Sequence, residues 1–328
     1  FGRHRELSRL YRDSVYQNVV LLLAVFEFVY LFFIDGYRDI LKRGYYIELV
    51  SAVKEVCLLE MLLAFYLFAV KSGDDFSYLP AIIKDKMITL SQFQLKEVIN
   101  QTIFSIAIND NNKMMTGELF EISEGTLKVV GLDGHRIAIR NIKLEGRADD
   151  VRVVIPGKTL QEISKILNAD AESLVNIYFT NNHVLFEFDQ THVVSRLIEG
   201  DYFKINQMLS NDYETKVSIN KKEFLDSIDR ANLLIREGDK KPIIINILNG
   251  LLQVNVNSAI GALNEDIDID KEGKDIMIGF NPKFLMDALR VIDDENVTIY
   301  LVNHKSPCFI RDKEENYIYL ILPVNFTA

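Results

Sequence analysis

The chain has 328 residues, 48% of them hydrophobic and 26% charged, with a formal net charge of −10 and a pI near 5.1. That composition belongs to a folded protein, and the acidity excludes one whose whole surface grips phosphates. The two cysteines, Cys57 and Cys308, form no disulfide framework and point to a reducing compartment. No Cys/His cluster has metal-ligand spacing, so neither a metal nor another cofactor is expected.

Residues 1–77 read as a domain unlike the rest. Arg3, Arg5, Arg9 and Arg12 precede an apolar run, Val19 to Ile34, interrupted by Glu27. A mixed segment follows, then a second run, Val56 to Val70, interrupted by Glu60. Extended by their neighbours, the runs predict a hairpin of two membrane-type helices within residues 15–70. A glutamate in each would have to face a partner or water. The Arg-rich lead, the paired runs and Lys71-Ser72-Gly73-Asp74-Asp75-Phe76-Ser77 resemble the amino-terminal membrane region of bacterial exopolysaccharide sugar transferases. The catalytic part of that family has no match downstream. The chain therefore reads as a chimeric join, with its seam at Gly73 to Leu79.

From Leu79 onward, short strands alternate with short helices, and one pattern occurs twice. Met87-Ile88-Thr89-Leu90 leads into a helix from Ser91 to Ala107. Lys216-Val217-Ser218-Ile219 leads into one from Asn220 to Ile235. Ser91 and Asn220 are N-cap residues. A hairpin follows in each copy, turning at Glu124-Gly125 or Asn249-Gly250. In the first copy another turn, Asp133-Gly134, sets His135 and Arg136 at the corner of the strand that carries Ile137 and Ile139. Next come strand and helix, Val151 to Ile155 with Lys158 to Leu167, and Asp275 to Ile278 with Pro282 to Ile292. Three strands close each copy. The prediction is an α+β fold: two tandem domains, 78–205 and 206–328, each with two helices on one side of antiparallel sheets whose other side faces water.

Asp133-Gly134-His135-Arg136, the segment Ser195-Arg196-Leu197-Ile198-Glu199-Gly200-Asp201-Tyr202, Gly279-Phe280-Asn281 and Leu322-Pro323-Val324 carry a further resemblance. Their order and spacing are similar to those of the bacterial DNA sliding clamps, the β subunits of the replicative polymerase. The likeness covers about Asp75 to Ala328 and corresponds to the second and third of that family's three domains. It implies a non-enzymatic processivity factor, and no nucleophile–histidine pair or phosphate-cradling loop argues otherwise.

Two sites follow from the resemblance. The first is a groove for short apolar peptides of the replicative polymerase, clamp loader and repair proteins. Its walls would be Met115, Leu132, Gly134, His135, Arg136 and Ile137 from one domain. Phe203, Gln207 and Met208 would come from the connecting segment, and Leu320, Leu322, Pro323 and Val324 from the chain end. The second is a channel face for weak, sequence-independent contact with double-stranded DNA. The helices offer Lys96, Lys158, Lys165, Lys221, Lys222, Lys283 and Arg290, and the loop Asn109 to Met115 offers Lys113 and Met114.

Two residues depart from the family pattern: Phe203 stands where a proline is usual, and Asn325 where an arginine is usual. The family closes a head-to-tail homodimer through its first domain, which needs ~120 residues; fewer than eighty precede here. The usual ring is therefore not expected to close. A cytoplasmic clamp with a membrane-type start is the leading reading. The alternatives are a membrane-tethered component of polysaccharide synthesis, and a peptide-docking adaptor with no DNA role.

Overall fold

A computed structural model of the chain describes residues 44–46, 49–50, 53–54, 56–61, 86–146, 148–236, 241–312 and 314–326. The chain divides into two compact units, Phe1–Ala81 and Ile82–Ala328. In the first unit, residues 45–46, 49–50, 53–54 and 56–61 are helical and mostly exposed. The apolar run 19–34 and the seam at 73–79 lie outside the described residues, as does most of the run 56–70. Among the described residues, no helix is long and apolar enough to cross a membrane.

The second unit holds the repeat. Its first half runs β1 (Lys86–Ser91), α1 (Gln92–Thr102), β2 (Gly117–Ser123), β3 (Thr126–Leu132), β4 (Arg136–Lys143), β5 (Val151–Pro156), α2 (Gly157–Ile166), β6 (Leu174–Phe179), β7 (His183–Phe188) and β8 (Thr191–Arg196). The second half repeats the order as β9 (Thr215–Asn220), α3 (Lys221–Leu233), β10 (Ile243–Leu248), β11 (Leu251–Ser258), β12 (Gly261–Gly273), β13 (Ile276–Phe280), α4 (Pro282–Arg290), β14 (Asn296–Leu301), β15 (Cys308–Arg311) and β16 (Tyr317–Ile321).

The caps act as their sequence predicts. Ser91 accepts from Gln94 N while the Gln94 side chain returns to Ser91 N, a complete capping box. Asn220 accepts from Glu223 N, and Asn281 from Lys283 N ahead of Pro282. At the first hairpin both Glu124 (φ 50°) and Gly125 (φ 72°) are left-handed, the twist that a two-residue turn demands.

One sheet, β1-β6-β7-β8, belongs wholly to the first half. The other runs through the unit as β13-β10-β11-β12-β9-β14-β15-β16-β4-β3-β2-β5. The halves are thus joined edge to edge. β16 of the second pairs antiparallel with β4 of the first, Leu320 opposite Ile137 and Tyr317 opposite Arg140. Each half encloses its own apolar core, one around Leu95, Ile99 and Phe186, the other around Phe224, Ile245 and Leu289.

Three sequence expectations need correction. The outer face of the β2–β4 sheet does not face water. Tyr202 and Ile205 of the connecting segment cover Leu119, Val130, Leu132 and Ile139, making a third core that continues onto Phe309 and Leu320. Tyr202 Oη donates to Val130 O at 3.1 Å. The helix expected to reach Ala107 stops at Thr102 and tightens to a 3-10 turn over Ile103–Ser105. Its end lies so close to β3 that a Cβ on Gly131 would sit 2.6 Å from Thr102 O, and Arg136 draws away Phe104 O. Finally, β12 is a long strand absent from the sequence reading. It pairs β11 over Gly261 to Asp268 and then crosses to β9 over Ile269 to Gly273.

Candidate functional site

Where the halves join, a cavity of about 380 Å³ opens. Met115, Leu132, Gly134, His135, Arg136 and Ile137 form one wall. Phe203 and Met208 descend from the connecting segment, and Pro307, Leu320 and Leu322 close the side of the second half. The lining is almost wholly apolar, and Met208 (44% exposed) and Leu322 (37%) stand at its mouth.

Local chemistry builds this wall. Asp133 Oδ1 accepts from the backbone N–H groups of His135 (3.0 Å) and Arg136 (3.1 Å), and Gly134 takes φ +84°. The turn therefore holds its shape independently of any ligand. Across the joint, Leu322 N donates to His135 O at 2.9 Å, extending the β16–β4 ladder by one bond. On the connecting segment, Phe203 stands edge-on to Tyr202, with ring centroids 5.6 Å apart. Burial pushes the Tyr202 hydroxyl pKa far above its ordinary value, with nearby Glu118 adding to the effect, so the core behind Phe203 holds this hydroxyl neutral.

Arg136 locks the base. Its Nε lies 3.0 Å from Asp133 Oδ2, and one terminal nitrogen lies 2.6 Å from Asp287 Oδ2 on α4. The other donates to Phe104 O at 2.5 Å. The guanidinium also sits 4.4 Å from the Phe284 ring centroid and 5.3 Å from that of Phe104.

Of the predicted groove residues, Gln207, Pro323 and Val324 do not line the cavity. Gln207 faces solvent. Past Leu322 the chain swings to β13, where Val324 N bonds Gly279 O at 2.8 Å, and Pro323 has no N–H with which to continue the ladder. Pro307 was missed, though the pattern held it. Phe309 lies opposite Leu320, so two residues earlier Pro307 falls opposite Leu322 on the same face.

The predicted DNA-facing set also divides. Lys158, Lys222 and Lys283 are exposed on helices and have no ion-pair partner among the described residues, and Lys113 is exposed on the loop. Lys165 pairs with Glu162 at 2.7 Å and Arg290 with Asp229 at 3.3 Å, both on the surface. Lys96 and Lys221 instead cap helix ends, donating to Leu167 O (2.9 Å) and Ile292 O (2.5 Å) just past α2 and α4. A cation there neutralises the carbonyl end of a helix. Met114 is buried in the third core against Gly200.

Two family models match the second unit. One, described as the central domain of the DNA polymerase III beta subunit, covers residues 89–204; the other, its C-terminal domain, covers 206–325. A beta sliding clamp of Staphylococcus epidermidis is 35% identical over 254 residues, 76% of this chain and 67% of that protein. A crystal structure of a putative DNA polymerase III beta subunit from Eubacterium rectale shares 67% identity with a TM-score of 0.77, covering 79% of this chain and 70% of that one. The DNA polymerase sliding clamp of Bacillus subtilis shares 34% identity with a TM-score of 0.75, covering 78% and 68%.

Proposed function

The chain belongs to the DNA sliding clamp family, the beta subunits of DNA polymerase III, and from that premise we propose that the cavity between its two halves docks short apolar peptides of replication and repair proteins. As a member of that family it is a non-catalytic DNA sliding clamp, which binds DNA and polymerase partners. The family membership leaves the glycan-synthesis alternative without support. The setting is the cytoplasm, where duplex DNA is copied.

The convergence of the groove residues on one cavity carries this reading. Leu132, Ile137, Leu320 and Leu322 supply apolar lining, with His135 and Arg136 beside them. A leucine or phenylalanine anchor would be desolvated there, as in a hot-spot pocket. Met115 and Met208 give the walls enough plasticity for several ligands. The test is titration of a labelled Gln-Leu-x-Leu-Phe peptide, followed by fluorescence anisotropy. We expect saturable binding that Met208→Asp and Leu322→Asp each weaken about tenfold or more, roughly 1.4 kcal/mol. Pro323→Ala should change it little, because Pro323 lies off the cavity. No saturable binding, or aspartate variants that both bind as tightly as the parent, would remove the assignment.

For DNA, the helices support loose contact with phosphates. Lys158, Lys222 and Lys283 stand in solvent, while Glu223, Asp226 and Asp229 dilute the field on α3. Reversing Lys222 and Lys283 to glutamate is expected to weaken DNA retention. The salt slope should fall by about one for every phosphate that the variant no longer neutralises. An unchanged slope would put those lysines off the path of DNA.

A further inference from the structure

The chain has seven methionines, and two of them, Met115 and Met208, line the one cavity between the halves. Their sulfurs are not equally reachable. Met208 follows the 3-10 turn Ile205–Gln207, and its N–H donates to Ile205 O at 2.9 Å. The turn fixes its backbone, while the side chain stays 44% exposed at the cavity mouth. Met115, in the wall of the first half, is half-buried. Met114 and Met286 are buried in apolar cores.

The surroundings of Met208 suit a thioether and not a polar group. Phe203, Pro307, Leu320 and Leu322 share the cavity with it. The Arg136 guanidinium is already committed, its three nitrogens holding Asp133, Asp287 and Phe104 O. A thioether is also the side chain that peroxides oxidise most readily after a thiolate, and exposure decides which one reacts.

Resting on the reading that this cavity docks apolar peptides, we propose that Met208 is a site of oxidative control, at which a hydroperoxide forms the sulfoxide and so closes the groove to its partners. In the step, the sulfur lone pair attacks one oxygen of hydrogen peroxide. The S–O bond forms, the O–O bond breaks, and the other oxygen leaves as water with both hydrogens. Sulfur is oxidised and peroxide is reduced. The sulfoxide oxygen is a strong acceptor. A Leu or Phe anchor seated against it would strip its water and offer no donor in return. The linkage is reciprocal: a bound peptide covers the sulfur, so oxidation acts on an empty groove and spares an occupied one. A sulfoxide reductase can restore the thioether, the oxygen leaving as water while a dithiol becomes a disulfide.

The test uses the full chain, treated stepwise with hydrogen peroxide. Mass mapping locates the sulfoxides, and a labelled Gln-Leu-x-Leu-Phe peptide is titrated after each step. Met208 should oxidise well ahead of Met114 and Met115, and affinity should fall about fivefold or more in step with it. Met61, Met87 and Met277 are at least as exposed, at 69%, 47% and 44%, and the exposed Cys57 thiol reacts as well. Met208→Leu separates these from the groove. It is read against its own untreated affinity, which the same peroxide should not lower. Saturating peptide should protect Met208 while Met277 oxidises at an unchanged rate. Unmoved affinity with Met208 fully oxidised overturns the proposal. So does a Met208→Leu protein that loses affinity as the parent does, a Met208 no faster than Met114, or a peptide that gives no protection. An untreated parent that binds no peptide removes the groove reading itself, and this proposal with it.

Discussion

Raising the pH from 5 to 8 is expected to lower the unfolding free energy of the clamp unit, and Glu118→Gln to flatten that dependence. Glu118 lies in β2, wholly buried, and neither carboxylate oxygen has a hydrogen-bond partner. Desolvation pushes its pKa up to about 8. The Thr102 hydroxyl, which would favour the ionised form, gives its hydrogen to Val98 O at 2.8 Å, so desolvation prevails. Tyr202 faces the carboxyl without supplying a positive charge. The folded pKa therefore exceeds the unfolded one. The neutral carboxyl's stability is complete below the unfolded value, near pH 4.5, and drains away as pH climbs toward 8. Each pH unit in that window costs up to ~1.4 kcal/mol, on the order of 3–5 kcal/mol in all. Asp170 and Glu265 are shifted the opposite way, by hydrogen bonds from the Glu172 backbone and from Arg230. Asp170 is exposed and Glu265 half-buried, and both act in acid, outside this window. The counterpart of Glu118 in the second half is Ile243, since Glu118 lies opposite Ile155 as Ile243 lies opposite Phe280. Glu118→Ile should therefore be more stable than the parent at pH 8. Urea unfolding at four pH values measures all three proteins, and a parent curve that is level across that range would dispose of the idea.

Arg136→Ala should cost about 2–4 kcal/mol of stability and slacken the joint between the halves. The side chain is only 11% exposed and ties together three elements: its own turn through Asp133, the turn after α1 through Phe104 O, and α4 through Asp287. Truncation leaves Asp287 half-buried without its cation and Phe104 O without its donor, the costly way to break a buried pair. Two cation–π contacts disappear as well. Arg136→Lys should not rescue it, because one ammonium cannot reproduce a planar fork directed at three acceptors. Arg230→Ala makes the control. Its pair with Glu265 is bidentate but half-exposed, and such pairs contribute little. Thermal unfolding ranks the three, with peptide affinity as a second readout. Equal melting of the Arg136→Ala and Arg230→Ala proteins would contradict the latch.

Local chemistry explains why so much of this fold could be read from residues. Caps and turns act within four residues, so Ser91, Asn220, Glu124-Gly125 and Asp133-Gly134 predicted their own geometry. The repeat added long-range information, because a strand recognised in one half vouched for its partner in the other. β12 escaped for a physical reason: its inward residues alternate with acids, and Glu265 points at Arg230 on α3 rather than joining the apolar row. The lysines show a similar limit. Nothing in a helical pattern separates Lys222, which stands in solvent, from Lys221, which reaches Ile292 O.

The residues by themselves determined the two tandem halves, the corner at His135 and Arg136, and most of the apolar groove, because hydrophobic period and turn chemistry are written in neighbouring positions. Only the tertiary structure decided that β16 would zip onto β4, that the connecting segment would roof the β2–β4 sheet, that Val324 would leave the groove for Gly279, and that Glu118 would be sealed without a partner. Those outcomes depend on which backbone groups and surfaces from distant parts of the chain find one another when water is expelled, and no local pattern encodes that pairing.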